Sequence, residues 1–173
     1  MKNLVVYDSV FGNTEKVARA ICETIDARDE AECLQVKKVK YEELKDIDLL
    51  IVGSPTRKFS PTGAIKKFLK KLLSDDLEGV DVAAFDTRIS LEDTNSWFLN
   101  LLVKLFGYAA KPIARKLEKK GGNLIIEPEG FIVSGTEGPL KNGELDRAGE
   151  WANKIVNLSQ KKWKLIFRAY YYQ

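Results

Sequence analysis

The sequence predicts an α/β protein built on a doubly wound parallel sheet with helices on both faces. Three observations support this fold class. Segments typical of strands alternate with segments typical of helices along the chain. The run Leu49-Leu50-Ile51-Val52 is unbroken by polar residues, as in a strand covered on both faces. A tight loop at 9–14 joins the first strand directly to a helix.

Length and composition predict one soluble domain. The chain has 173 residues, of which 45% are hydrophobic and 31% charged, enough for a substantial core. No apolar run is long enough to span a bilayer, which predicts no transmembrane segment. Met1-Lys2-Asn3 leads straight into the first strand and leaves no room for a signal peptide. We therefore expect a cytoplasmic protein.

The residue types also exclude several classes of function. The chain has no histidine, which excludes histidine-dependent triads and histidine metal sites. The net charge is +3, and lysines and acids are interleaved, so no nucleic-acid surface is indicated. Cys22 and Cys33 form no Cys-x-x-Cys pair and are expected to act as small buried side chains or inert thiols rather than redox or metal groups.

In the first half of the chain, strands and helices follow one another closely. Cys33–Val39 alternates apolar and polar side chains, which predicts a half-exposed edge strand. We predict, in order, a strand at 3–9, a helix at 13–27 capped by Asn13 or Thr14, a strand at 33–39, a short helical turn at 42–47 and a strand at 49–52.

The second half continues the alternation. Apolar residues at helical spacing predict a helix near 62–74. We predict a strand at 80–85, a helix opened by Pro112 and ended by Gly121-Gly122, one long strand at 124–126 and 131–133 interrupted at Pro128, and a last helix from Gly143 or Glu144 to Leu158.

Two segments do not fit the simple alternation within a predicted domain of residues 1–160. Trp97–Tyr108 would be apolar on nearly every face of a helix, and we interpret it as an insertion. Residues 161–173 form a predicted basic and aromatic tail. We expect the insertion to pack against its own chain, for example against Trp163–Tyr172. The alternatives are a homodimer interface and contact with a membrane surface.

Three loops leave the carboxyl ends of predicted strands, at 9–14, 54–61 and 86–96. Ligands of such sheets bind beyond these strand ends, at a topological switch point. The first loop carries hydroxyls and a glycine just before a helix, so its backbone N–H groups would suit a phosphate. Without a ligand, the same residues would form an ordinary capped turn.

The loops resemble those of the flavodoxin family. The first contains neither a Walker motif nor Gly-x-Gly-x-x-Gly. It resembles the flavodoxin phosphate loop at Ser9, Gly12, Asn13 and Thr14, with Phe11 in place of a usual hydroxyl residue. The second loop, residues 52–56, and the third, residues 86–88, are similar to the family's flavin loops by sequence and by position. The C-terminal segments 135–140 and 143–145 also resemble a flavodoxin-domain ending, so the resemblance covers residues 3–158.

The resemblance implies a five-stranded sheet of order 2-1-3-4-5 and FMN as the cofactor. Phe59 is a candidate to stack on the flavin ring, and its alternative role is a loop anchor in the core. No catalytic residue or metal ligand is implied. The cofactor-binding residues implied by the three loops are Ser9, Val10, Phe11, Gly12, Asn13, Thr14, Ser54, Pro55, Thr56, Arg57, Lys58, Phe59, Asp86, Thr87 and Arg88.

A family member of this kind would carry electrons between redox partner proteins. One alternative is an FMN oxidoreductase of the same fold, similar to a quinone reductase or a protoporphyrinogen oxidase, with its substrate pocket near residues 89–108. Another is a sensor or scaffold that has lost the cofactor. Arg57, Lys58 and Arg88 are expected either to face solvent or to raise the flavin potential, and in the second case to favour an acidic partner.

Overall fold

The computed structural model describes residues 1–90 and 107–171, with side chains up to residue 162. A parallel sheet lies at the centre, and its strands follow the order β2-β1-β3-β4-β5, with β6 also paired to β4. The predicted order is therefore confirmed. The strands are β1 (Asn3–Tyr7), β2 (Ala31–Gln35), β3 (Leu49–Pro55), β4 (Asp81–Ile89), β5 (Asn123–Leu124) and β6 (Glu129–Val133).

Strands β5 and β6 share one position in the sheet. β5 pairs with the start of β4, at Asp81 and Val82, whereas β6 pairs with the second half of β4, from Phe85 to Ile89. Pro128 lies between the two segments. The predicted interruption of one long strand is confirmed, and the sheet has five strand positions although six segments form it.

Helices cover both faces of the sheet. They are α1 (Asn13–Asp26), α2 (Gly63–Lys71), α3 (Ala110–Glu118) and α4 (Glu144–Tyr171), and a 3₁₀ turn spans Tyr41–Leu44. Val6 and Leu50 pack in the core that α2 and α3 cover. Val5 and Ile51 pack in the core that α1 and α4 cover. Neighbouring strand residues thus point to opposite faces, and both faces are apolar, as the run at 49–52 predicts.

The last helix is longer than predicted. It was expected to end at Leu158, but α4 continues to Tyr171 and includes most of the predicted tail. Its extension is tied to the sheet at Asp81, the first residue of β4. The Ser159 hydroxyl and the Lys162 ammonium donate to this buried carboxylate at 2.7 and 2.5 Å. Asp81, about 80 residues earlier in the chain, therefore holds this helix extension.

The start of α1 also differs from the prediction. Gly12, and neither Asn13 nor Thr14, is the N-cap residue, and it adopts a left-handed conformation with φ 83°. Asn13 and Thr14 are the first two residues of the helix, and their side chains bond to distant parts of the chain instead of to the helix end. Asn13 Nδ2 donates to the Glu137 carbonyl at 2.8 Å.

The two thiols are free and lie on neighbouring elements, Cys22 on α1 and Cys33 on β2. Cys22 is buried and Cys33 half-buried. A hydrogen bond between the two thiols, together with burial, raises the pKa of Cys22, and the same hydrogen bond lowers the pKa of Cys33. Cys33 therefore has the greater thiolate character of the two.

Residues 97–106 of the predicted insertion at 97–108 lie outside the described residues. The side chains of the aromatic tail, from residue 163 on, also lie outside them. Their mutual packing and the homodimer interface stay predictions. None of the helices described here is long and apolar enough to cross a membrane.

Candidate functional site

A cleft of about 210 Å³ lies at the carboxyl ends of the strands. Residues from the ends of β1, β3, β4 and β6 line it, so the three loops singled out in the sequence converge at one place. The lining residues are Val10, Phe11, Asn13, Thr14, Pro55, Thr56, Arg57, Lys58, Thr87, Arg88, Ile89, Val133 and Thr136.

Most of the residues expected to bind a cofactor line this cleft. Those that do not are Ser9, Gly12, Ser54, Phe59 and Asp86, which belong to the same loops and strand ends. Sequence reasoning missed Ile89, Val133 and Thr136. Val133 and Thr136 could have been found because they belong to the last strand and the loop after it, which reach the same sheet edge.

The first loop leaves open space in front of helix α1. Gly12 has φ 83°, and a Cβ atom placed there would meet nothing within 4 Å. The Gly12 carbonyl accepts the first helical hydrogen bond from Lys16 N at 3.0 Å. The amides of the first helical turn lack partners within a helix and carry its positive dipole end, so they can bind an anion.

Threonine hydroxyls connect the first loop to the floor of the cleft. Thr14 is buried on α1, and its Oγ1 lies 2.8 Å from Oγ1 of Thr87 on β4. The Thr87 carbonyl also accepts a hydrogen bond from Thr56 N at 2.9 Å. The three loops are thus linked through β4, which fixes their spacing before a ligand binds.

The second loop contains a tight turn with unusual backbone angles. Arg57 and Ser60 exchange two backbone hydrogen bonds, of 2.9 and 3.0 Å. The residues between them, Lys58 and Phe59, have φ values of 47° and 61°. This left-handed region is costly for residues other than glycine, so the turn is strained. Lys58 is exposed on the rim, whereas Phe59 is half-buried and does not line the cleft; its ring stacking stays a prediction.

Residues 86–88, predicted as the start of the third loop, form the end of β4 instead and contain a buried ion pair. Arg88 Nε and Nη2 donate to the Asp86 carboxylate at 2.5 and 2.8 Å, and Ala110 N donates to it at 2.7 Å. The Arg88 guanidinium lies 3.9 Å from the ring centroid of Tyr108. Burial raises the pKa of Asp86, opposed by Arg88, Ala110 and the Thr56 hydroxyl. Arg88 therefore lines the cleft as a paired charge, and it is not the solvated or free cation that the sequence suggested.

The charged side chains that line the cleft within residues 1–90 and 107–171 are all basic. They are Arg57, Lys58 and Arg88, and none of the described lining residues is acidic. The Arg57 guanidinium lies 5.6 Å from the ring centroid of Phe11, across the cleft between the first two loops. This arrangement suits a ligand that carries negative charge.

The rest of the described lining includes apolar side chains. Val10, Ile89 and Val133 add apolar surface on which a flat group could lie. Among the described residues, no group of histidine, cysteine or acidic side chains could hold a metal ion. The site can therefore hold an anionic ligand with an apolar body between three fixed loops.

Comparisons with known proteins agree with this fold. The chain matches the family described as flavodoxin domain over residues 4–96. A flavodoxin from the domain Archaea is 23% identical, with a TM-score of 0.71 over 92% of this chain and 99% of that one. Flavodoxin 2 from Bacillus cereus is 24% identical, with a TM-score of 0.73 over 91% and 99%. A flavodoxin, WrbA-like protein from Agrobacterium tumefaciens is 20% identical, with a TM-score of 0.71 over 92% and 98%. No curated protein matches the chain.

Proposed function

Because the chain belongs to the flavodoxin family, we propose that it binds FMN in the cleft and carries electrons between redox partner proteins. The observation that carries this proposal is the convergence of three loops on a cleft whose described lining contains Arg57, Lys58 and the Asp86-paired Arg88 and no acidic residue. The bound FMN supplies the redox chemistry, and the protein supplies binding, orientation and electrostatics.

The residues present fit FMN. Gly12 is the N-cap residue of α1, and the amides of the first helical turn that follows it would hold the phosphate group. The apolar side chains of Val10, Ile89 and Val133 would contact the flat ring. Lys58, at a central position of the tight turn, would lie at the rim. No side chain has to move a proton for this role, which agrees with a chain that lacks histidine.

The identity of the bound ligand tests the proposal. Protein purified from an expression host should show a flavin absorption spectrum, and heat should release FMN, identified by its mass. The ligand-free protein should then bind added FMN. Recovery of only an adenine dinucleotide, or no binding on reconstitution, would contradict the proposal.

Catalytic turnover separates the carrier from the alternative enzyme. An FMN oxidoreductase should turn over NAD(P)H with a quinone in the absence of any other protein. A carrier should show only slow background reduction of the quinone, but should exchange electrons with redox proteins. Sustained turnover would favour the oxidoreductase of the same fold.

Replacing Thr14 with Val should weaken FMN binding by about 1–2 kcal/mol, the value of a hydrogen bond to a charged group. Fluorescence titration with FMN measures this as roughly a 5- to 30-fold higher Kd. Thr87→Val is the matched control, because it breaks the same 2.8 Å contact with Thr14 but leaves the Thr14 hydroxyl in place. Equal losses in both variants would mean that Thr14 acts only through that contact.

Replacing Lys58 with Gln should lower the one-electron reduction potential of the bound flavin. Lys58 is exposed on the strained turn and lines the cleft. A unit charge about 6 Å from the ring, at an effective dielectric constant of 20–40, shifts a one-electron potential by roughly 60–120 mV. Solvent screening reduces this figure, so we expect a fall of tens of millivolts at low salt.

Lys119→Gln is the control for this measurement, because Lys119 is exposed just beyond the far end of α3, away from the cleft. Its potential should equal that of the parent protein. If Lys58→Gln and Lys119→Gln give the same potential within error, the charge of Lys58 is solvated and does not act on the flavin.

A further inference from the structure

On the premise that the cleft binds FMN, we propose that Arg57 is the counter-charge of the phosphate group and that the ring of Phe11 positions it. Arg57 then determines how strongly the protein prefers FMN to riboflavin, which lacks the phosphate. The side chain comes from the second loop, whereas the backbone donors for the phosphate come from the first.

The position of the guanidinium carries the inference. Phe11 precedes Gly12, at the end of the first loop, where the open space lies in front of α1. The guanidinium of Arg57 lies 5.6 Å from the centroid of the Phe11 ring. The arginine is thus directed from its own loop toward the phosphate end of the cleft, and an aromatic face holds the cation there.

The hydroxyls of the first loop are neutral and cannot balance the charge of a phosphate group. Ser9 Oγ accepts a hydrogen bond from Glu15 N at 3.3 Å, and Thr14 Oγ1 is paired with Thr87. A phosphate monoester carries about −1.5 to −2 charges near neutral pH. A planar guanidinium is well suited to such a group, because it can donate two parallel hydrogen bonds to phosphate oxygens.

The other lining cations are less suited to this role. The Arg88 guanidinium is bound to the Asp86 carboxylate by two hydrogen bonds. Lys58 lies at a central position of the tight turn. Arg57, in contrast, makes no salt bridge within the described part of the chain.

In the part of the chain that the structure describes, no acidic side chain lines the cleft. Asp8 is buried at the start of the first loop, and Glu137 is exposed in the loop after β6; neither lines the cleft. Among these described residues, no carboxylate of the lining offsets the charge of Arg57.

The test compares two ligands and several variants. Dissociation constants for FMN and for riboflavin are measured by flavin fluorescence on the ligand-free protein, and thermal unfolding confirms that each variant is folded. In Arg57→Gln the Kd for FMN should rise about tenfold, whereas the Kd for riboflavin should stay within twofold of the parent value. Lys58→Gln, which removes the same charge from the next residue, should change the ratio of the two constants much less.

The role of the aromatic ring is tested by Phe11→Leu. This change should raise the Kd for FMN a few-fold when Arg57 is present and should have no further effect in the Arg57→Gln background. Binding of FMN to the parent protein should also weaken with salt, and less steeply in Arg57→Gln, because one charge contact has been removed.

The outcomes separate this assignment from the proposed function. If the parent protein binds FMN but Arg57→Gln changes the FMN and riboflavin constants equally, or changes neither, the assignment of Arg57 is wrong and the proposed function stands. If Lys58→Gln changed the ratio of the two constants as much as Arg57→Gln does, the effect would come from the general positive field of the cleft and not from the position of Arg57. That result would also overturn the assignment. A parent protein that binds neither ligand overturns both.

Discussion

Replacing Asp81 with Ala is expected to destabilise the protein by about 3 kcal/mol, because the substitution removes charge-assisted hydrogen bonds and leaves a buried hydroxyl without its acceptor. Asp81 is completely buried at the start of β4. It accepts hydrogen bonds from Asn123, Ser159 and Lys162 at 2.8, 2.7 and 2.5 Å. Urea denaturation measures the loss as a lower free energy of unfolding.

The same change should affect the last helix more than the cleft. Hydrogen exchange of the backbone amides after Ser159 should become faster, because the carboxylate anchors this end of α4. FMN affinity should stay near the parent value, since the cleft lies at the opposite end of β4. Asp75→Ala is the control, because Asp75 is exposed and should change stability by less than about 0.5 kcal/mol. Unchanged exchange after Ser159 would mean that Asp81 does not hold the helix extension.

Replacing Gly53 with Ala should destabilise the protein by about 2–3 kcal/mol through overpacking. Gly53 lies opposite Phe85 in the β3–β4 pair. A Cβ atom on Gly53 would come within 2.0 Å of the Phe85 ring. That ring cannot move away easily, because it is fully buried and makes edge contacts with Phe131 and Trp151, at centroid distances of 5.9 and 6.3 Å.

Gly63→Ala is the matched control. Gly63 is the first residue of α2, and an added Cβ there would meet nothing within 4 Å. This substitution should leave stability unchanged or raise it by about 0.4–1 kcal/mol, because alanine restricts the unfolded chain. Thermal or urea unfolding of both variants gives the comparison. A similar small effect in both would show that the β3–β4 packing relaxes around the new methyl group.

Three positive side chains that have the same expected role in the sequence have different surroundings in the structure. Arg57, Lys58 and Arg88 all follow predicted strands and all line the cleft. Arg88 is neutralised by Asp86, Arg57 is directed toward the first loop by Phe11, and Lys58 remains on the strained turn. We therefore expect Arg88 to affect the third loop, Arg57 to affect phosphate binding and Lys58 to affect the flavin potential.

The sequence by itself determined the fold class, the strand order implied by the family resemblance, and the loops that surround the cleft. These features can be predicted from the sequence because they depend on local patterns of residues. An apolar run such as 49–52 specifies a strand covered on both faces, and a glycine before a helical repeat specifies the turn at Gly12. In a parallel sheet, such strand ends must meet at one edge, so loop positions follow from the alternation alone.

Only the tertiary structure decided the partners of individual side chains. The last helix passes its predicted end because Ser159 and Lys162 bond to Asp81, about 80 residues earlier in the chain. Asn13 and Thr14 do not cap α1, because Glu137 and Thr87 engage them. No local pattern contains this information, since a hydrogen bond between distant residues depends on which strands become neighbours.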